Sequence, residues 1–353
     1  MCNLLFIDLG SAWGGQEIYS QNLIHNFVDD GYNITHVSSQ LKHKRDDITF
    51  VKVKHNWSNF YANSVLISEL IQNHQIVIFN GNRAIQQAFF IRHTISFVGI
   101  KHGPFSVSNF GILGNFFLKL LYFILFKKLD KIICVAKVTY DESLKLAPKK
   151  VKFLPNGVYS SKVIGSNVFT KNTQLNLIYC GRLIEDKGVF VILNAVLLVH
   201  NDKPFSVKLQ IFGSGPLEPD IISFIKLNKL DDVIKFNGYV DDRDIIYNIN
   251  KPSIMVFASK FEGMPLSILE AYSYGIPIVA YNAPGISDVV IDGLNGFLIQ
   301  DKSFNPLSMK DKLLYLYKNE GLLDIFSNNN LGEFNSKYSF DKMFFKFKSE
   351  LAI

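Results

Sequence analysis

FASKFEGMPLSILEAYSYGIPIVA, residues 257–280, carries the strongest structural signal in the chain. An apolar run from Ser253 to Ala258 has strand character, Gly263 and Pro265 mark a tight turn, and Ile276 to Ala280 reads as a second strand. The stretch is therefore a strand-helix-strand unit. Pro265 suits the first helical position, where its missing N–H would be unpaired in any case, so the helix is expected to begin near Leu266. Its first free amides, Leu266 to Ile268, then point back into the loop as a site for anions, phosphate above all. Glu270 is the only charged residue from Leu266 to Tyr274, on a helix held between two apolar strands. A carboxylate there needs a partner. On a structural reading the partner is a buried amide or an Arg; on a functional one it is the hydroxyls of a bound ligand. Glu262 is a second carboxylate, in the loop before the helix.

The same alternation runs outward in both directions. Upstream, strand-like runs at Asn3–Leu9, Ile34–Ser38, Ile48–Val53, Ile76–Phe79 and Ser96–Lys101 are interleaved with helical stretches at Glu17–Val28 and Ser64–Gln72. Runs at Lys131–Ala136 and Val151–Leu154 close the first half. Pro155-Asn156-Gly157 is a turn signal, and residues 161–174 are polar and irregular, a linker by composition. The pattern then restarts with strands at Leu175–Cys180, Val207–Phe212 and Ile234–Val240 and helices at Val189–His200 and Asp241–Asn250. Helices at Pro306–Asn319 and Phe340–Leu351 end the chain. Alternation of this kind predicts mostly parallel, doubly wound α/β sheets. At 353 residues, two such domains fit, at 1–160 and 175–335, with 336–353 as a returning helix.

Composition limits the function classes. The chain is 48% apolar and 19% charged, which excludes a disordered protein. A net charge of +6 favours anionic ligands or an anionic membrane surface, and does not single out nucleic acid as a partner. Cys2, Cys134 and Cys180 lack metal-ligand spacing and read as reduced, buried thiols of a cytosolic protein. Residues 110–129, FGILGNFFLKLLYFILFKKL, approach membrane-spanning length, but Lys119 and Asn115 interrupt the run. They are read as a helix of the cytosolic fold. Such a helix is either a core helix or one whose apolar face, beside Lys127, Lys128 and Lys131, rests on anionic lipid.

Candidate site residues follow strands. Gly14 and Gly15 come after the first, where backbone can approach a ligand closely or simply turn. His102 follows Ser96–Lys101, and a lone His is as readily structural as catalytic. Arg182 and Lys187 share one loop after Leu175–Cys180, placed to hold a diphosphate, or merely solvated beside Glu185 and Asp186. Gly213 opens the GSGP turn after Val207–Phe212. All lie at the edge where open α/β sheets take ligands, and two sheets facing across an interdomain cleft would gather them around a nucleotide diphosphate bearing a polyhydroxylated group.

In order along the chain, GGQE (14–17), KHGP (101–104), LPNGV (154–158), GRLIEDKG (181–188), FGSGP (212–216), FNGYV (236–240), EGMPLSILEA (262–271) and DGLNGFLI (292–299) resemble the retaining glycosyltransferase family 4, of GT-B fold. The resemblance implies two Rossmann-like domains and transfer of a sugar from a nucleotide-diphosphate donor, UDP or GDP, to a saccharide or lipid-linked acceptor. By it, Arg182 and Lys187 neutralise the diphosphate, Glu262 contacts sugar hydroxyls, and Glu270, eight residues on, contacts the ribose. His102 lies beside the transferred sugar, and Gly14, Gly15, Gly213, Gly263, Met264, Leu266 and Ser267 complete the donor site. Asp288 stands where the family usually carries glutamate, and Ala258 where it often carries proline. The fold needs no Asp-x-Asp metal pair, so no cofactor and no metal are expected, with retention of anomeric configuration. Work in surface polysaccharide assembly follows, in the cytoplasm or at the inner face of the membrane. An epimerase or phosphorylase of the same fold, or a nucleotide-binding protein without turnover, remains open. A nicotinamide dehydrogenase is disfavoured because no GxGxxG follows the first strand.

Overall fold

A computed structural model describes residues 2–10, 14–39, 45–54, 57–92, 94–104, 111–160, 174–203, 205–248 and 253–353. The chain forms two compact units, Met1–Asn156 with Phe344–Ile353, and Gly157–Met343. Of the expected linker 161–174, only Gln174 is among the described residues, and it begins a strand.

The first unit runs β1 (Asn3–Asp8), α1 (Gly15–Asp29), β2 (Asn33–Ser38), β3 (Ile48–Lys52), α2 (Phe60–Leu70), β4 (Ile76–Asn80), α3 (Asn82–Gln87) and β5 (Ser96–Lys101). It continues with α4 (Gly111–Lys128), β6 (Lys131–Cys134), α5 (Lys137–Leu144) and β7 (Val151–Phe153). The strands pair in parallel in the order β3-β2-β1-β4-β5-β6-β7. Leu4 to Ile7 are fully buried, the continuous apolar run of a central strand covered on both faces. Strand order reverses between β1 and β4, so a crevice is expected at their carboxyl ends. The last helix, α12 (Phe340–Leu351), contributes its second half to this unit. There Phe344 and Phe347 pack edge-on against Phe27, while Lys348 and Glu350 pair with Asp30 and Lys131.

The second unit runs β8 (Gln174–Cys180), α6 (Val189–Asp202), β9 (Ser206–Phe212), α7 (Glu218–Leu227), β10 (Ile234–Phe236), α8 (Arg243–Asn248) and β11 (Ile254–Phe257). After these come α9 (Leu266–Ser273), β12 (Ile278–Tyr281), β13 (Gly296–Ile299), α10 (Pro306–Lys318) and α11 (Gly321–Glu333). Its parallel sheet has the order β10-β9-β8-β11-β12-β13, with the reversal between β8 and β11.

Several expectations need correction. Pro265 is not the first helical residue but the cap before it: its ψ of 107° is extended, and its carbonyl accepts the Ile268 N–H at 3.1 Å. Ile268 is therefore not a free amide, whereas Leu266 and Ser267 show no N–H partner among the described residues. The strand read as Ile276–Ala280 spans Ile278–Tyr281, because Gly275 turns at φ +65° and Ile276 N–H closes back on Ala271. The strand read as Ile234–Val240 ends at Phe236, before Gly238 at φ +68°. Helix α11 and the π-helical turn Phe334–Tyr338 are not legible in the sequence, since Gly321, Gly332 and three consecutive asparagines blur the helical period. Burial of Leu323, Phe326 and Phe334 nevertheless fixes them. All three cysteines are free; Cys134 is buried, Cys2 and Cys180 only half so. Among the described residues, no helix is long and apolar enough to cross a membrane.

Candidate active site

In the second unit, the loops after β8 and β11 leave neighbouring strands at the point where strand order reverses. They are tied to each other by backbone: Lys260 N–H donates to Asp186 O at 2.9 Å. Gly188, at φ +64°, sits so close that a Cβ would stand 2.2 Å from the Ala258 carbonyl oxygen. This close approach brings Lys187 to Glu262. Their Nζ–Oε1 distance is 2.5 Å and each side chain is 15% exposed. Ser259 Oγ donates to the same carboxylate oxygen at 2.8 Å. Arg182 lies in the same loop, exposed, with no ion pair among the described residues, and its carbonyl accepts the Tyr179 hydroxyl at 3.0 Å. The two cations and the loop carboxylate are thus at one sheet edge, with Lys187 and Glu262 in direct contact.

Gly213 has a reason internal to the protein. At φ +139°, a Cβ there would lie 1.9 Å from Gly181 O, and its N–H donates to Gly238 O at 2.8 Å. It joins the ends of β8, β9 and β10 whether or not a ligand is present. At Gly14, by contrast, a Cβ would meet only the Glu17 carboxylate, at 3.7 Å among the described residues. Gly14 caps α1, which Gly15 opens. Met264 is buried, and Gly263, its neighbour in the chain, is half-buried.

Glu270 has protein partners. Arg243 Nε lies 3.2 Å from its Oε1, and Tyr247 OH donates to its Oε2 at 2.9 Å and stands 3.2 Å from Ser267 O. The ring of Tyr247 packs 5.0 Å from that of Tyr274, whose hydroxyl donates to Asp244 Oδ1 at 2.5 Å. Burial opposes ionisation of the Tyr247 phenol, and Glu270 adds to it, so the hydroxyl stays protonated and donating. Burial works against the charge on Arg243, but Glu270, together with Tyr247, Cys180 and Tyr239, more than offsets it and the guanidinium stays charged. Arg243 and Tyr247 were not read as site residues from the sequence. The available signal was a cation in the segment after FNGYV, at another strand's carboxyl end.

In the first unit, Asp8, Asn80 and His102 stand at the carboxyl ends of β1, β4 and β5, adjacent strands in register. His102 Nε2 is 2.7 Å from Asn80 Oδ1. Asn80 Nδ2 lies 3.2 Å from Asp8 Oδ2 and 3.2 Å from Gln16 O. Gln16 O is a carbonyl and can only accept, so the Asn80 amide must present its NH₂ there and its oxygen to His102. His102 therefore carries its proton on Nε2 and leaves the Nδ1 lone pair available. Asp8 also accepts from Ser20 Oγ at 2.7 Å and Gln16 Nε2 at 3.1 Å. Loss of water around the ring, and then the charge of Lys101, push the His102 pKa down to about 3, so the imidazole is neutral. Tyr19 packs edge-on at 5.2 Å and fixes its plane. Asp8 and Asn80 were missed in the sequence because each ends an apolar run and resembles a turn residue.

Among the described residues, no group of three or more His, Cys, Asp or Glu could hold a metal ion. The sequence profile of glycosyltransferase family 4 matches residues 13–162, and that of glycosyl transferases group 1 matches residues 166–332. An uncharacterized glycosyltransferase of Methanocaldococcus jannaschii is 27% identical over 344 residues, 93% of this chain and 92% of its own. The capsular polysaccharide biosynthesis glycosyltransferase CapM of Staphylococcus aureus is 25% identical over 163 residues, 46% of this chain and 41% of its own. Among solved structures, HepE of Anabaena in complex with UDP and glucose covers all of both chains with a TM-score of 0.80 at 15% identity, a likeness of fold. With two parallel-sheet α/β units and the two profiles laid end to end along them, the chain belongs to the family 4-like glycosyltransferases of GT-B fold.

Proposed function

We propose that this enzyme transfers a sugar from a UDP- or GDP-sugar to a saccharide or lipid-linked saccharide acceptor, with retention and without a metal ion, in assembly of a surface polysaccharide. The observation that carries the reading is the Lys187–Glu262 pair at the strand-order reversal of the second unit. A diphosphate arriving there exchanges one anionic partner of Lys187 for another, and Arg182 adds a second cation. As the bond between the anomeric carbon and the phosphate oxygen breaks, negative charge grows on the leaving diphosphate. Fixed cations lower the barrier because that charge is larger in the transition state than in the bound donor. The Leu266 and Ser267 amides add the positive end of α9. Glu262 is then released toward the hydroxyls of the sugar, and Glu270, held by Arg243 and Tyr247, takes the ribose hydroxyls. His102 serves as a neutral acceptor through Nδ1 beside the transferred sugar. In the retaining step the acceptor oxygen attacks on the face from which the phosphate leaves, and its proton passes to a phosphate oxygen.

The polysaccharide role draws on the relative CapM, and UDP on the ligand of HepE. Thermal-shift screening against UDP-, GDP- and ADP-sugars tests the donor class. A true donor at about 100 times its Kd adds roughly 2.7 kcal/mol of stability. NMR of the product must show the donor's anomeric configuration, and activity must persist in excess EDTA. An inverted product, or loss of activity restored only by a divalent ion, refutes that part of the proposal.

A further inference from the structure

Helix α4 is apolar on both sides, and only one side is used by the fold. Tyr122, Leu125 and Phe126 are buried in the first unit's core. The opposite stripe, Phe116, Phe117, Leu120, Phe123 and Ile124, recurs at helical spacing and faces solvent, with Phe116 63% and Phe117 65% exposed. At the helix end the patch continues onto the loop after α3: Lys128 caps the Phe89 carbonyl and lies over the Phe89 ring, and Phe89 and Phe90 are themselves exposed. Lone exposed apolar residues are ordinary, but a contiguous patch of aromatic rings is not.

The stretch of sequence that carries the patch has charge of one sign. From Leu70 to Leu129 the sequence contains no Asp or Glu, while Arg83, Arg92, Lys119, Lys127 and Lys128 all reach the surface. Lys127 extends over the Phe123 ring, placing its ammonium at the rim of the stripe. Burial and, after it, neighbouring Arg92 hold the Lys128 pKa below its ordinary value, which puts Arg92 within electrostatic reach of Lys128. Lys131, by contrast, is spent on Glu350 and does not serve the patch.

We infer that this face of the first unit docks onto an anionic lipid bilayer, with the α4 stripe in the headgroup-acyl boundary and the lysines and arginines at the phosphates. Aromatic rings flanked by cations are the side-chain chemistry of a bilayer interface. A second copy of the chain fits less well, because the cations at the rim of the stripe, Lys127 and Lys128, would face their own charge. The helix lies in the interface plane, since it is too short and too interrupted to span. This inference does not depend on the donor assignment, because the test uses no donor.

The test is flotation of the full-length chain with vesicles of phosphatidylcholine alone and with one third phosphatidylglycerol. Binding is expected to the anionic vesicles only, and to weaken in 0.5 M NaCl. Phe116→Ser with Phe117→Ser should lower vesicle affinity by about tenfold or more, given what burying an aromatic side chain contributes. Lys127→Glu should lower it about fivefold or more, with the melting temperature of each variant unchanged. Failure to float with anionic vesicles, equal binding to neutral ones, or self-association abolished by the same substitutions would overturn the inference.

Discussion

The Lys187–Glu262 contact makes a double-substitution cycle the sharpest test of the proposed mechanism. Lys187→Ala, Glu262→Gln and the combination would be compared in kcat/KM and in unfolding free energy. With an N···O distance of 2.5 Å and both side chains 15% exposed, neither charge is well solvated, so each single change strands the other. Lys187→Ala also removes a cation from the leaving diphosphate. By comparison with other anion-stabilising donors this is expected to cost about 2 to 4 kcal/mol, or about 30- to 1000-fold in kcat/KM. Glu262→Gln keeps an acceptor for Ser259 but releases the lysine, so its effect reaches beyond sugar choice. Because the two residues share one interaction, the double variant should fall short of the summed single effects by about 1 to 3 kcal/mol in stability, with a coupling of the same sign in kcat/KM. Additivity within about 0.5 kcal/mol in both readouts would refute the coupling of Lys187 to Glu262. An unchanged kcat/KM in Lys187→Ala would refute the diphosphate role itself.

Three further outcomes are expected. Glu270→Gln preserves shape but replaces a charged acceptor of Arg243 and Tyr247 by a neutral one, costing about 1 to 2 kcal/mol of stability and weakening UDP or GDP binding about tenfold; a lowered melting temperature with unchanged calorimetric affinity would leave Glu270 only structural. His102 has its pKa lowered from 6.5 to about 3, so above about pH 6.5 neither folded nor unfolded chain is protonated there. As pH falls toward 3 the unfolded chain takes up the proton and the folded one does not, so stability is lost. His102→Gln should therefore show a shallower fall of melting temperature between pH 6.5 and 4, and an equal slope would argue against a neutral imidazole. Gly188→Ala must adopt a left-handed backbone against the Ala258 carbonyl, and should lose at least about 1 to 3 kcal/mol by chemical denaturation.

Much was legible in the chain itself, for local reasons. Continuous apolar runs and period-3.6 apolar patterns, with Gly and Pro between them, are set by residues a few positions apart, so the strand-helix alternation and the parallel α/β class could be read directly. Strand ends also placed Arg182, Lys187, Glu262 and His102 at sheet edges, with Glu270 on the helix after the Glu262 loop, and the family resemblance rested on short ordered motifs of the same kind.

What required the tertiary structure were pairings across sequence distance. Nothing near Lys187 in sequence announces that Glu262 is its counter-ion; parallel pairing of β8 with β11 and the close approach at Gly188 bring them together. For Glu270 the sequence allows a buried amide, an Arg or ligand hydroxyls as partner, and packing of α8 supplies the Arg. The His102 tautomer depends on an asparagine two strands' ends away in sequence but one hydrogen bond away in space. Which side of α4 meets the core is likewise beyond a helix that is apolar all round, since periodicity cannot choose between two apolar faces; only the sheet beneath it does.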